Sequence, residues 1–514
     1  MKQRATRALV VVSGAAVALS AVVAGGAAQA ADQLASSSVP ANPRSGVQEN
    51  DLAAGLDQTS VAYGQLPLTN PDGGVAHYGY DTSNGGPLTQ DPKEAFKTEP
   101  DKNVYLVFGS HHYLYQGHEG GPGGYVTRVD LDQPELSRRV TLVADRDADG
   151  NRPPTFDGIT WDPWTRQLLL TAESKSPAGG VFGVTLDSAG DGSGPLTRLT
   201  ALGSGGYEGV QNDSAGNVWL VEDIGGAGAS GGKVPNSYVY RFTPTTRTSL
   251  ASGSLQALRV HRADGSPATA AQLQADPRDR FLTDLHTYGS SFATDWVTVA
   301  DPTNATAGAK AAGATPFKRP ENGVFRPGTG FGEFYFTETG DTNADSTLPG
   351  RFGGVFRLTQ PSPTASSGSL APAYLGDLQH TGLDNISFAT SDQLLVVEDA
   401  GDTLHGQRNA LDSGYLLDLR KSYAQGLQPV RWLAEGRDAS ATYDATTSPG
   451  YNDGDNEITG IHVSDGDATT GGILGAKSPQ LFAGGWRVFW TQQHGDNSTW
   501  ELSPSSDAPA RSAG

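Results

Sequence analysis

One pattern recurs along the 514 residues and limits the folds open to them. It is seen in FDGITWDPWTRQLLLTAES (156–174), YEGVQNDSAGNVWLVED (207–223), ENGVFRPGTGFGEFYFTETGD (321–341) and LDNISFATSDQLLVVEDAGD (383–402). A looser copy is EITGIHVSDGD followed by WRVFWTQQHGD. Each copy opens on an acidic or amide residue beside a small one. An apolar strand, a polar turn and a second aliphatic-aromatic strand follow, and a polar cluster closes the copy. Short apolar or alternating runs bounded by Gly, Asp, Asn and Pro read as strands. Such runs lie at 103–108, 124–131, 167–172, 217–222, 237–242, 332–337, 353–358, 393–398 and 486–491. Helical periodicity shows only over 268–285, where Pro277 breaks it. The copies start at 157, 208, 321, 384 and 458, and the long gap after 208 has room for one more unit near 237–300. Periods of this length in an all-β chain predict a β-propeller of six blades with long loop insertions, residues 101–131 helping to close the ring. A sandwich or barrel with look-alike turns is the competing architecture.

In a propeller, a residue at the same place in every unit points at the same axial spot. The first-strand positions are Asp157, Glu208, Glu321, Asp384 with Asn385, and Glu457. The second strands end at Glu173, Glu222 with Asp223, Glu338, Glu398 with Asp399, and His494. Carboxylates that converge repel unless cations lie between them. All-oxygen donors suit calcium, magnesium, manganese or iron. Asp157, Glu173, Glu208, Glu222, Glu321, Asp384, Asn385, Glu398 and Glu457 are therefore the candidate metal ligands. Arg319, Glu321 and His494 are the catalytic candidates: an Arg can hold two phosphate oxygens in a fork while a neighbouring Glu binds metal. His111, His112 and His118 read as structural hydrogen-bonders. A further loop, DRDADGNRPPTF (145–156), opens like a calcium loop but has Phe156 where the closing Glu belongs, so calcium loop and ordinary Asp-rich turn both stay open.

Composition removes other chemistries. There is no cysteine, which excludes disulfides, thiolate metal sites and Cys nucleophiles. The net charge of −20 argues against nucleic acid and anionic membrane as partners. No Gly-x-Ser-x-Gly elbow and no nucleotide-binding Gly loop occur. Lys2, Arg4 and Arg7 precede an Ala-, Val- and Gly-rich stretch that ends at Ala28-Gln29-Ala30, which reads as an export signal over 1–30 without a twin Arg. No later run is long enough to span a membrane. The expected organisation is a signal peptide at 1–30, a flexible segment at 31–70, one propeller at 71–503 and a flexible tail at 504–514. Residues 361–370 are expected to form a loop.

The ordered motifs resemble the PhoX-type alkaline phosphatase family. GATPFKRPENGVF (313–325) is similar to that family's Arg-Pro-Glu segment, YEGVQNDSAGNVWLVED to its His-Glu segment, LDNISFATSDQLLVVED to its Pro-Asp-Asn segment, and EITGIHVS with FWTQQHGD to its closing Gln-His stretch. The likeness runs over about residues 100–500. It implies a six-bladed propeller with calcium and iron at one axial end, acting on small phosphate monoesters outside the cytoplasm. Carried to these positions, it makes Glu173, Glu208 and Glu321 metal ligands, Arg319 a phosphate clamp, and Asp384, Asn385 and Glu398 lesser ligands.

Three departures qualify the likeness. The family's iron-binding Cys is missing, and Asp157 stands near its place, which favours calcium, magnesium or manganese. The twin-Arg signal is absent. The paired acids of one strand end read Glu173-Ser174. The expected function is a secreted, monomeric, calcium-containing phosphomonoesterase. The alternatives are a non-catalytic calcium-stabilised binding propeller and a propeller lactonase or phytase-like esterase.

Overall fold

A computed structural model describes residues 34, 38–44, 48–72, 74–80, 98–119, 123–437 and 457–505. The export signal expected at 1–30 lies outside them. The protein is mainly β, in a propeller-like arrangement of antiparallel units. The first strands of the units are Pro100–Phe108, Ile159–Asp162, Tyr207–Asn212, Gly323–Phe325, Leu383–Phe388 and Glu457–Ser464. Each touches the next in that order, and the last touches the first, so they close a ring around an axis.

Local chemistry makes the hairpins. In DADGN (147–151), DSAGD (187–191) and DSAGN (213–217) the leading Asp accepts from the backbone N–H groups two and four residues on. Gly150, Gly190 and Gly216 sit at φ 81°, 84° and 84°, which a side chain would strain. The loop at 145–156 forms a turn of the same kind as its two relatives, with Asp147 accepting from its own backbone. The strands carry the apolar load: Trp219 is fully buried with its ring 5.2 Å from Trp296, 5.1 Å from Phe325 and 4.9 Å from Phe334. Its Nε1 donates to Asp213 Oδ2 at 2.8 Å, so the turn and the core brace each other.

All nine strand runs expected from sequence form strands, and the broken helix at 268–285 is two short helices, Ala270–Ala275 and Arg280–Leu285. Three expectations need correction. Residues 31–70 are not wholly a loose segment: Leu56–Ala62 pairs with Thr499–Pro504 and completes the last unit, and Asp51–Leu52 pairs with Val430–Ala434. Their Ser, Thr and Gln hid the signal, because only Leu56, Val61 and Ala62 face the core. Residues 361–370 are only partly loop, since Ser367–Leu375 is an outer strand. The region 237–300 is not a separate unit. Val239–Thr246 pairs with Val218–Glu222, and Ser249–Val260 and Phe292–Thr298 extend the same sheet. Among the described residues, no helix is long and apolar enough to cross a membrane.

Candidate metal and phosphate site

A repeated bulge aims the first-strand acids at the axis. Tyr207 pairs with Glu222 but Val210 pairs with Leu220, so Glu208 and Gly209 share one partner position. The same slip occurs at Asp384-Asn385 between Leu383 and Ile386, and at Asp101-Lys102 between Pro100 and Asn103. An extra residue in a strand turns its side chain out of the ladder. Asp157 and Glu321 reach equivalent places just before their strands.

The resulting cluster is a chain of buried or half-buried carboxylates. Asp101, Glu119 and Asp157 can bring one oxygen each within 4.8 Å of one another; so can Asp157, Glu173 and Glu208, and so can Glu208, Glu321 and Asp384. Burial pushes Glu173 up to about 8, with the Asp223 carboxylate adding to it. Burial likewise lifts Asp384 to about 7, against hydrogen bonds from Asn385 and Asn322. Asp101, Asp157, Glu208 and Glu321 are driven well above the carboxylate range, by burial first and then by one another and their acidic neighbours.

Arg319 stands beside this chain. Its Nε lies 2.8 Å and its Nη2 2.6 Å from Oδ2 of the buried Asp223, and Nη2 is 3.6 Å from Glu321 Oε1. The Arg319 carbonyl accepts from Thr339 N, as the Gly382 carbonyl accepts from Asp399 N and the Gly206 carbonyl from Asp223 N. Arg319 thus holds a place that other units give to glycine, and it keeps the left-handed backbone of Gly382, φ 59° against 64°. An L-residue there costs about 1–2 kcal/mol, a strain that tends to mark functional positions. Carboxylates engage the Nε and Nη2 side, and among the described residues Nη1 makes no hydrogen bond.

Five of the nine candidate ligands therefore meet: Asp157, Glu173, Glu208, Glu321 and Asp384. Asn385 lies beside Asp384, its Nδ2 donating to Thr459 O, while its buried Oδ1 has no partner among the described residues. Glu222 and Glu398 are placed elsewhere. Glu222 accepts from Tyr238 N, Tyr240 OH and Thr306 Oγ1. Glu398 accepts from Thr381 N and from both Arg408 Nη1 and Nη2. Successive strand side chains face opposite ways, so the next residues, Asp223 and Asp399, turn toward the site instead. Glu338 follows the rule, taking Lys318 N and His286 Nε2. Glu457 lies at the rim, 2.9 Å from His494 Nε2, and Glu99 is 3.3 Å from His494 Nδ1. His118 is structural, between Thr98 O and Thr127 Oγ1.

Asp101, Lys102 and Glu119 were not among the sequence candidates. Their unit lacks the small residue after the acid, Lys102 standing where Gly158 and Gly209 do, so the repeat was not visible there. The signal was an acid before an apolar strand, followed by a second strand ending in His118-Glu119.

The donors fit a hard cation. The three trios are carboxylate oxygen throughout, with no thiolate in the sequence, and the buried Oδ1 of Asn385, the residue next to Asp384, is a neutral oxygen with no hydrogen-bond partner among the described residues.

The chain was compared with known proteins. A family model described as alkaline phosphatase PhoX matches residues 182–473. Among solved structures, Pseudomonas fluorescens PhoX in complex with vanadate, a transition state analogue, is similar with a TM-score of 0.56 at 12% identity, over 91% of this chain and 97% of that one. The periplasmic gluconolactonase PpgL of Pseudomonas aeruginosa is similar at a TM-score of 0.35 and 12% identity, over 86% of this chain and 94% of that one. A likeness that slight says nothing of this chain's chemistry. No curated protein matches.

Proposed function

Because the chain belongs to the PhoX family of alkaline phosphatases, we propose that it is a metal-dependent phosphomonoesterase whose reaction takes place at the axial carboxylate chain beside Arg319. The observation that carries this is Arg319 itself. A half-buried guanidinium on a strained backbone, locked by Asp223 at the edge of an acidic cluster, has little use unless something anionic is bound there.

Asp157, Glu173, Glu208, Glu321 and Asp384 would hold the metal, with Asp101 and Glu119 extending the set. The absence of thiolate favours calcium, with magnesium, manganese or iron as further occupants. A bound cation supplies charge for the phosphoryl oxygens and acidity for an attacking oxygen. The protein's own groups do the rest. Asp223 orients the guanidinium so that the Nη1 edge presents two N–H donors to the phosphoryl group. That edge stabilises the charge that gathers on the equatorial oxygens, and it does so without reorganising. His494, held between Glu99 and Glu457, would hold or give a proton at the leaving oxygen. The buried carboxylates keep competing anions out until their charge is offset.

The leader-like sequence at 1–30 supports export, and we read the working site as extracellular or wall-associated. The test is hydrolysis of p-nitrophenyl phosphate at alkaline pH by wild type and Arg319→Ala. It is run before and after chelation and restored with calcium alone or with iron or manganese. Chelator-sensitive turnover that Arg319→Ala abolishes supports the reading. Turnover indifferent to both overturns it.

A further inference from the structure

Threonine recurs in alternate units on the second strand, facing the bulge or its matching place. The residues there, in ring order, are Gly117, Thr171, Val221, Thr337, Val397 and Thr491. All three threonines are fully buried, and each reaches the next unit of the ring. Thr337 Oγ1 accepts from Asn322 N at 3.0 Å in its own unit and lies 2.5 Å from Asp384 O in the next. Asn322 O is further off, at 3.2 Å, so the one hydroxyl proton goes to Asp384 O. Thr171 Oγ1 likewise donates to Glu208 O, with Gly158 O at 3.1 Å. Thr491 differs, because its Oγ1 accepts from Asn103 Nδ2 at 3.0 Å and meets no axial acid.

The first two bonds each join carboxylates that share an oxygen trio. Asp157 and Glu208 belong to one. Thr171 N donates to Gly158 O and Thr171 O accepts from Asp157 N, while the hydroxyl holds Glu208 O. Glu321 and Asp384 belong to another, and Thr337 links the residue after Glu321 to Asp384. Asn322 is itself held from across the axis: its Oδ1 accepts at 2.9 Å from Lys102 Nζ, three units round the ring. At the seam between these two, Gly209 N donates to Glu321 O at 2.8 Å, and Val221 stands in the threonine's place. The seams have no slack. A Cβ on Gly158 would lie 2.2 Å from Glu208 O, and one on Gly209 would lie 2.8 Å from Glu321 O. Moving such a carbonyl moves the Cα beside it, and the carboxylate with it.

We infer that Thr171 and Thr337 are positioning residues for the metal site. Each hydroxyl fixes the spacing of two carboxylates in one trio, Asp157 to Glu208 and Glu321 to Asp384, and so tightens the hold on a cation. The inference rests on the metal reading above.

The test is calorimetric titration of stripped protein with calcium, or with manganese if calcium does not bind, beside a thermal melt of the metal-free form. The proteins are wild type, Thr171→Val, Thr337→Val, Thr171→Ser, Thr337→Ser and Thr491→Val. Valine already fills the matching place at 221 and 397, so the valine variants keep the packing. Each of Thr171→Val and Thr337→Val should weaken ion binding by about 10–100-fold, the usual loss when an outer partner of a ligand goes. The serine variants keep the hydroxyl and should bind as wild type. Thr491→Val should melt lower, because Asn103 loses its partner, yet bind the ion as wild type. Either valine variant that folds decides the matter, and if neither folds the alanine variants take their place. Wild type that binds the ion, with equal affinity in the valine variants, overturns this inference alone. So does a loss that serine does not recover, or one that Thr491→Val shares. Wild type that binds neither ion overturns the metal reading, and this inference with it.

Discussion

Arg319 concentrates the argument at the scale of one residue. Its backbone is left-handed, its guanidinium is locked by Asp223, and its flanks are pinned by Glu338 to Lys318 N and by Pro320. Arg319→Ala keeps the left-handed backbone and leaves the buried Asp223 carboxylate without its partner, so stability should fall as well. Phosphatase turnover should fall by about 10²–10³-fold, the usual loss when a preorganised donor to a transition-state anion goes. Steady-state kinetics beside a thermal melt would check both halves. Arg319→Lys should recover only part, because an ammonium cannot present the forked donor edge. The Arg-Pro-Glu triplet was legible in the sequence as a candidate clamp. Its partner was not, because Asp223 lies 96 residues away and only the fold brings them together.

At the scale of the element, neighbouring acids at one strand end do different work. Glu398 is fully buried between Thr381 N and Arg408, and Arg408 also bonds Asp412, which ties the helix Gly401–Arg408 to its unit. Removing Arg408 strands two buried carboxylates. Arg408→Ala should cost about 3–5 kcal/mol, read as a lower urea midpoint. Glu222→Gln should leave the bound metal at the wild-type amount, whereas Glu208→Gln should lower it, and elemental analysis would separate the two. The pairs Glu222-Asp223 and Glu398-Asp399 were visible in sequence, but their facing was not. A two-residue period says that they point apart. It does not say which of the two meets the axis, since that depends on where the ladder begins.

For the whole molecule, two properties follow from ring closure and buried charge. The last unit borrows Leu56–Ala62 from the N-terminal side, so the two ends of the sheet order are joined by one strand pairing. Deleting residues 31–62 should open that seam and lower the melting temperature by several degrees. Calorimetry of the truncated protein would show it, and an unchanged melt would mean that the seam contributes nothing. The second property is pH dependence after chelation. Glu173 titrates near 8 when folded against an ordinary 4.5, and Asp384 near 7 against 3.8. Folded protein thus binds more protons than unfolded protein between about pH 4 and 8. Stability of the metal-free protein must therefore fall as pH rises through that window. Calcium should restore it most at the alkaline end. A chelated protein whose melting temperature is flat from pH 5 to 8 would show that these carboxylates are not held as the structure places them.

What the amino-acid order determined by itself was local. It specified the strand–turn–strand repeat, the Asp-to-Gly hairpin turns, the helix broken at Pro277 and the first-strand acids at 157, 208, 321 and 384. These depend on spacings of a few residues, where side-chain alternation and backbone φ preferences act directly. What only the tertiary structure decided was convergence. The reach of Lys102 across the axis, the Asp223 lock on Arg319 and the closing strand at Leu56–Ala62 all join residues far apart in sequence. Their positions follow from register and ring closure, which are set by burying whole faces of neighbouring units against each other, and no short window of sequence contains both partners.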